Sequence, residues 1–80
     1  MNYQEIEEAI RENNTFKHGR SMHAELVPNF IEGMIYQIYS YETLIFQEGM
    51  RTGEQWFNTE KYSSTTSRQQ NIIRRAKGIK

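Results

Sequence analysis

His18, His23 and Glu25 come nearest, in residue type and spacing, to a metal site in this chain of 80 residues. Two imidazoles and a carboxylate can form a facial triad. His23 and Glu25 share one face of an alternating strand, but His18 falls in a polar connector. There is no Asp and no third His. A metal site also needs outer residues that orient its ligands. The two histidines are therefore read as surface side chains, and no metal or cofactor is expected. Hydrolytic chemistry fares no better, because no set of nucleophile, base and orienting group can be assembled from the many Ser and Thr residues. Glu7 and Glu8 read as a solvated helix face. Gly33, Gly49 and Gly53 are isolated turn glycines, which do not make a phosphate-cradling loop. The absence of cysteine removes thiolate nucleophiles, thiolate zinc sites and disulfides together. With no reaction class to name, the chain is expected not to be an enzyme.

Binding chemistry is better represented. Ser63, Ser64, Thr65, Thr66 and Ser67 precede a helical pattern, flanked by Lys61 and Arg68. The free N–H groups of a helix start can hold a phosphate. Arg74, Arg75, Lys77 and Lys80 extend the positive charge. The same residues also explain an ordinary capped helix whose terminal cations complement its dipole, and that reading is preferred. The second group is aromatic. Tyr36, Tyr39, Tyr41, Phe46, Trp56 and Phe57 fall on neighbouring strand patterns, and Tyr39 and Tyr41 sit opposite the Tyr36–Ile38 face. A sheet covered on one side would then leave aromatic rings in water, a surface suited to a protein or to bases.

The elements that must position these groups follow from periodicity. Tyr3, Ile6, Ala9 and Ile10 recur at helical spacing over residues 3–13, with Asn2 and Glu5 set as a capping box. Residues 15–20 read as a polar connector. Residues 21–27 alternate, with Met22, Ala24 and Leu26 on one side, and Pro28–Asn29 ends the run. Residues 34–41 form the strongest strand, residues 44–47 a further one after a tight turn, and residues 55–57 a short last one. Thr66 with Gln69, or Ser67 with Gln70, fits a capping box for a final helix to about Ala76, with Gln69, Ile72, Ile73 and Ala76 facing inward and Gly78 as its stop. The predicted fold class is α+β: an N-terminal helix, an antiparallel β-meander of about four strands, and a C-terminal helix packed on the sheet.

The whole chain sets further bounds. Eighty residues suit one domain, 1–80, with a thin core rich in aromatic area. No apolar run approaches the roughly 18–20 residues of a membrane span, and residues 1–5 lack the basic start of a signal peptide. The expected location is the cytoplasm, with no membrane contact. Net charge is zero but uneven. Residues 1–12 carry four Glu against Arg11, and residues 61–80 carry six cations and no acid. That tail leaves a local anion-binding surface available.

Three stretches carry a family resemblance. They are Ser21-Met22-His23-Ala24-Glu25, Tyr39-Ser40-Tyr41-Glu42-Thr43-Leu44-Ile45, and Trp56 to Arg68, within which Lys61-Tyr62-Ser63-Ser64-Thr65-Thr66-Ser67-Arg68 is the most specific. Together they resemble a group of small phage and prophage proteins of unknown function that share a Lys-Tyr-Ser-x-Thr-Thr-Ser-Lys/Arg segment. Glu42 departs from that pattern, which has Gly there. The resemblance implies a viral or mobile-element origin, a bacterial host cell and the same meander with a helix. It carries no catalytic residues. The expected function is a non-catalytic interaction protein that binds a host protein or itself, for instance as a homodimer. The alternative is a small nucleic-acid-binding module using the basic C-terminal helix and the strand aromatics. Candidate binding residues are Tyr39, Tyr41, Trp56, Lys61, Arg68, Arg74 and Arg75.

Overall fold

A computed structural model describes residues 1–79. Its elements run α1 (Tyr3–Arg11), β1 (Phe16–His18), β2 (Met22–Asn29), β3 (Gly33–Ser40), β4 (Thr43–Gly49), β5 (Gln55–Phe57) and α2 (Ser64–Lys77). The strands form one antiparallel sheet in the order β1-β2-β3-β4-β5, a simple meander. The expected α+β arrangement is present, with five strands. Among the described residues no helix is long and apolar enough to cross a membrane.

Both helices contribute to a core shared with one face of the sheet. Ile6 and Ile10 of α1 and Ile72 and Ile73 of α2 meet Phe16, Met22, Ala24, Tyr36, Ile38, Ile45 and Phe46. The Asn2–Glu5 capping box forms in both directions, at 2.8 and 2.9 Å. Asn13, at φ 56°, turns the chain out of α1. Helix α2 begins earlier than its capping-box reading. Ser63 is the N-cap and accepts from the Thr66 N–H, because Thr66, Gln69 and Gln70 are all drawn into the interior. Gly78, left-handed at φ 68°, ends it.

The connector at residues 15–20 contains β1. Three residues are too few to show alternation, yet Phe16 is buried and pairs with Ala24. Strand β2 also runs on through Pro28, which was read as its end. β1 flanks only Met22–Ala24, so at Pro28 the strand is an edge, where a missing N–H is tolerated. The β3–β4 register slips between Ile38 and Tyr39: Ile38 faces Phe46 while Tyr39 faces Leu44. Ile45 is the extra residue of this bulge, and Ile45 and Phe46 are both fully buried. Asn58 fixes the bulge from the β5 side. Its N–H donates to the Ile45 carbonyl at 2.9 Å and its Nδ2 to the Leu44 carbonyl at 3.2 Å.

Candidate sheet-face interface

Strand alternation places a second set of side chains on the face away from the helices. Register puts Lys17, His23, Tyr39 and Leu44 in one row across the sheet. Glu25, Gln37, Gln47 and Trp56 form the next, and Val27, Ile35 and Gly49 the third. Their neighbours along the strands, Ala24, Tyr36, Ile38 and Phe46, are buried beneath the helices. The open face is therefore the outer half of the same strands that build the core.

The open face is ordered by its own contacts. The His23 and Tyr39 rings stack with centroids 4.9 Å apart and planes 8° from parallel. The Tyr39 hydroxyl donates to Gln37 Oε1 at 2.9 Å, and Gln37 Nε2 donates to Gln47 Oε1 at 3.2 Å. Beside this chain lies a groove of about 410 Å³ lined by Ile31, Glu32, Ile35, Gln47, Gly49, Glu54 and Trp56 among others. A Cβ at Gly49 would meet the Glu32 carboxyl group, which would have to swing away from its present bonds to make room. That carboxylate accepts from Thr52 Oγ1 at 2.7 Å, the Thr52 N–H at 3.0 Å and the Arg51 N–H at 3.1 Å. The Thr52 hydroxyl and amide hold the Glu32 carboxyl below the usual carboxylate range. At the opposite end of the strands a wider groove, about 610 Å³, is lined by Lys17, Arg20, His23, Tyr41, Glu42 and Thr43 among others.

The candidate residues separate into two groups. Tyr39 lies on the open face, as expected, and Trp56, for which the sequence assigned no face, joins it there. Tyr41 was read as a strand residue; it is instead the first residue of the β3–β4 turn, at φ 55° and half exposed. The left-handed position thus falls on Tyr41 rather than on residue 42. The basic candidates lie on the other side of the sheet. Arg74 stacks over Phe57 at 4.8 Å, and Arg68 lies 6.0 Å from the Tyr3 ring centroid. Arg75 pairs with Glu7 at 3.0 Å. Lys77 is enclosed, donating to Glu48 at 2.6 Å and to the Asn13 side chain. Lys61 is exposed on the connection leading to α2, and Lys80 lies outside the described residues. Ser63 caps its helix and Thr66 Oγ1 meets Ser40 Oγ at 2.9 Å in the interior, so the hydroxyl run is partly structural.

The histidines separate too. His18 pairs with Met22 on the helix-facing side and its ring lies 5.9 Å from Tyr3, whereas His23 is on the open face. His23 and Glu25 approach to 3.9 Å. Among the described residues no three potential metal ligands come together.

Phe30 and Ile31 were not singled out by sequence reasoning. They sit in the β2–β3 turn, 102% and 67% exposed. Asn29 Oδ1 accepts from the Ile31 and Glu32 N–H groups, each at 2.9 Å, and fixes that turn. Two consecutive large apolar residues directly after Pro28-Asn29 were the available signal, since turns favour Gly, Asn, Asp and Ser for conformational reasons that Phe and Ile do not share. Compared with known proteins, the chain matches no family model, no curated protein and no solved structure.

Proposed function

We propose that this chain is a non-catalytic interaction protein whose open sheet face binds another polypeptide. One observation carries the reading: a five-stranded sheet covered by helices on one side presents stacked His23–Tyr39, Leu44, Ile35 and Trp56 on the other. Interfaces are enriched in such aromatic residues, and the hydrogen-bonded Tyr39–Gln37–Gln47 chain holds part of this surface in place before any partner arrives. The resemblance of residues 61–68 to small phage and prophage proteins supports an origin on such an element and a partner in its bacterial host.

The nucleic-acid alternative has less support. It needs phosphate-binding cations beside base-stacking rings. Arg68, Arg74 and Arg75 lie beyond the helix-facing side of the sheet from Tyr39 and Trp56, and Arg75 and Lys77 are already matched to acids.

The test is selection of displayed peptides against the immobilised protein, with counter-selection on a Tyr39→Lys, Gln47→Lys variant. These two substitutions alter the open face alone, so circular dichroism should be unchanged. Enriched peptides should bind the wild type, lose binding to the variant and shift the emission of Trp56, the single tryptophan. Ligands that bind both forms equally, or no enrichment, would refute the reading.

A further inference from the structure

We infer that the polypeptide this face accepts is a second copy of the same chain, docked face to face with its strands reversed. The inference rests on the open-face reading and adds the occupant and its orientation.

The two ends of the face differ in shape and in charge. At one end Phe30 protrudes, touching little of its own chain, from a turn braced by Asn29 and by the Glu32–Thr52 bonds. At the other end is the 610 Å³ groove bounded by Tyr41, His23 and the side chains of Lys17 and Arg20. Formal charge runs the same way. Glu32 and Glu54 against Arg51 leave the Phe30 end at −1, and Lys17 and Arg20 against Glu42 leave the groove end at +1.

A closed dimer needs a self-complementary patch, in which each contact occurs twice about a twofold axis. An axis lying in the interface and crossing the strands reverses their ends. Each Phe30 then reaches the partner's groove, and each negative end meets a positive one. An axis parallel to the strands would set protrusion on protrusion and like charge on like charge. Only the reversed arrangement uses both features.

The area suffices. Strands about 4.8 Å apart, rising about 3.3 Å per residue, make a face of roughly 24 by 25 Å at its widest. The molecule measures 34 × 24 × 23 Å, in keeping with that size. β1 and β5 are short, but a fully exposed Phe adds on the order of 200 Å². With β1 and β5 counted at their actual lengths the strands give roughly 460 Å² and the total is about 650 Å² per partner, at the lower end of specific interfaces.

Light scattering after size-exclusion chromatography, run over a protein concentration series, tests this. The wild type should be a concentration-dependent dimer. Phe30→Ser should weaken it at least about thirtyfold, the effect of losing an aromatic anchor seated in the partner's groove, with unchanged circular dichroism. Orientation is read by disulfide trapping, which is clean because the chain has no native cysteine. Mixed Ile31→Cys and His23→Cys chains should cross-link to each other, since both positions face the open side, and Ile31→Cys chains alone should not. A chain that stays monomeric at millimolar concentration overturns the second copy as occupant; the peptide selection above then still decides whether the face binds a foreign polypeptide. A dimer indifferent to Phe30→Ser, or one cross-linked through Ile31→Cys alone, overturns the geometry.

Discussion

Gln69 and Gln70 are adjacent, both buried, and expected to respond to the same substitution with opposite sign. Gln69 Nε2 donates to the Ser21 carbonyl at 3.1 Å, and its Oε1 is buried without a partner among the described residues. The Ser21 carbonyl has a second donor, the Tyr41 N–H at 3.0 Å. Gln69→Leu therefore strands nothing. It loses one hydrogen bond, about 0.5–1.5 kcal/mol, and removes an unpaired buried acceptor that costs about 1–3 kcal/mol. The net expectation is a gain of about 1 kcal/mol. Gln70 Nε2 instead donates to the Asn58 carbonyl at 2.7 Å and the Glu60 carbonyl at 3.1 Å, closing the connection into α2. Gln70→Leu deprives both carbonyls, and the loss should be about 2–3 kcal/mol. For a chain of this size, 1 kcal/mol shifts Tm by roughly 4–8 °C. Urea unfolding followed by circular dichroism, at one fixed protein concentration because a dimer would couple to stability, measures both variants. Destabilisation of Gln69→Leu by more than about 1 kcal/mol would refute the reasoning, since it would mean that Oε1 has a partner whose loss matters.

Lys77→Met should cost about 3 kcal/mol in urea unfolding, because it leaves Glu48, only 15% exposed, without its cation, and Glu48→Leu added to it should recover most of that loss. Tyr36 should impose an alkaline limit. Burial, reinforced by the Glu48 charge, raises its phenol well above the usual value, so its contribution is complete below the unfolded value near 10 and falls as pH rises past it. Tyr36→Phe should flatten that limb of a plot of urea midpoint against pH, at the cost of the 2.7 Å bond to the Asn14 carbonyl. Glu32 has the opposite sign. Its lowered value contributes stability above the ordinary carboxylate range that disappears as pH falls through the folded value, and Glu32→Gln should flatten the acid limb of the same plot. Tyr41→Gly should raise the unfolding free energy from urea titration by about 1 kcal/mol, because the left-handed backbone at φ 55° penalises a side chain there.

Most elements legible in the sequence have a pattern that repeats at least twice, and the three-residue β5 was legible from Trp56-Phe57 following the turn glycines. Ile6 with Ile10, Met22 with Ala24, and Tyr36 with Ile38 and Ser40 each announce a buried face, and each lies where its period places it. β1 escaped because Phe16-Lys17-His18 spans too little chain to alternate. The Ile45 bulge escaped because two consecutive inward residues contradict a period of two, and the cause, Asn58 bonding to Ile45 and Leu44, lies more than ten residues away. The pairing of cations in the basic tail was hidden for a related reason. Charge along the chain marked Arg75 and Lys77 as a patch, but their acids, Glu7 and Glu48, are contributed by α1 and β4. Partners that distant leave no local trace.

The same division explains why the open face was only half visible. Each central strand gives alternate residues to the core, and the core closes on that half alone: Tyr36, Ile38 and Phe46 lie beneath the helices. Tyr39 and Trp56 are thus not needed to exclude water from the core. A small chain with a thin core has little area to spare, so rings placed on the other face call for a reason outside the core. Tyr41 sharpens the point. Gly would sit there without backbone strain, yet the position holds an aromatic ring at the lip of the groove, tied by its own N–H to Ser21. Strain kept at an exposed aromatic residue has a use where that ring contacts something outside its own core. Phe30 makes the same argument from the other end of the sheet, where an apolar ring stands fully in water on a turn whose hydrogen bonds do not depend on it.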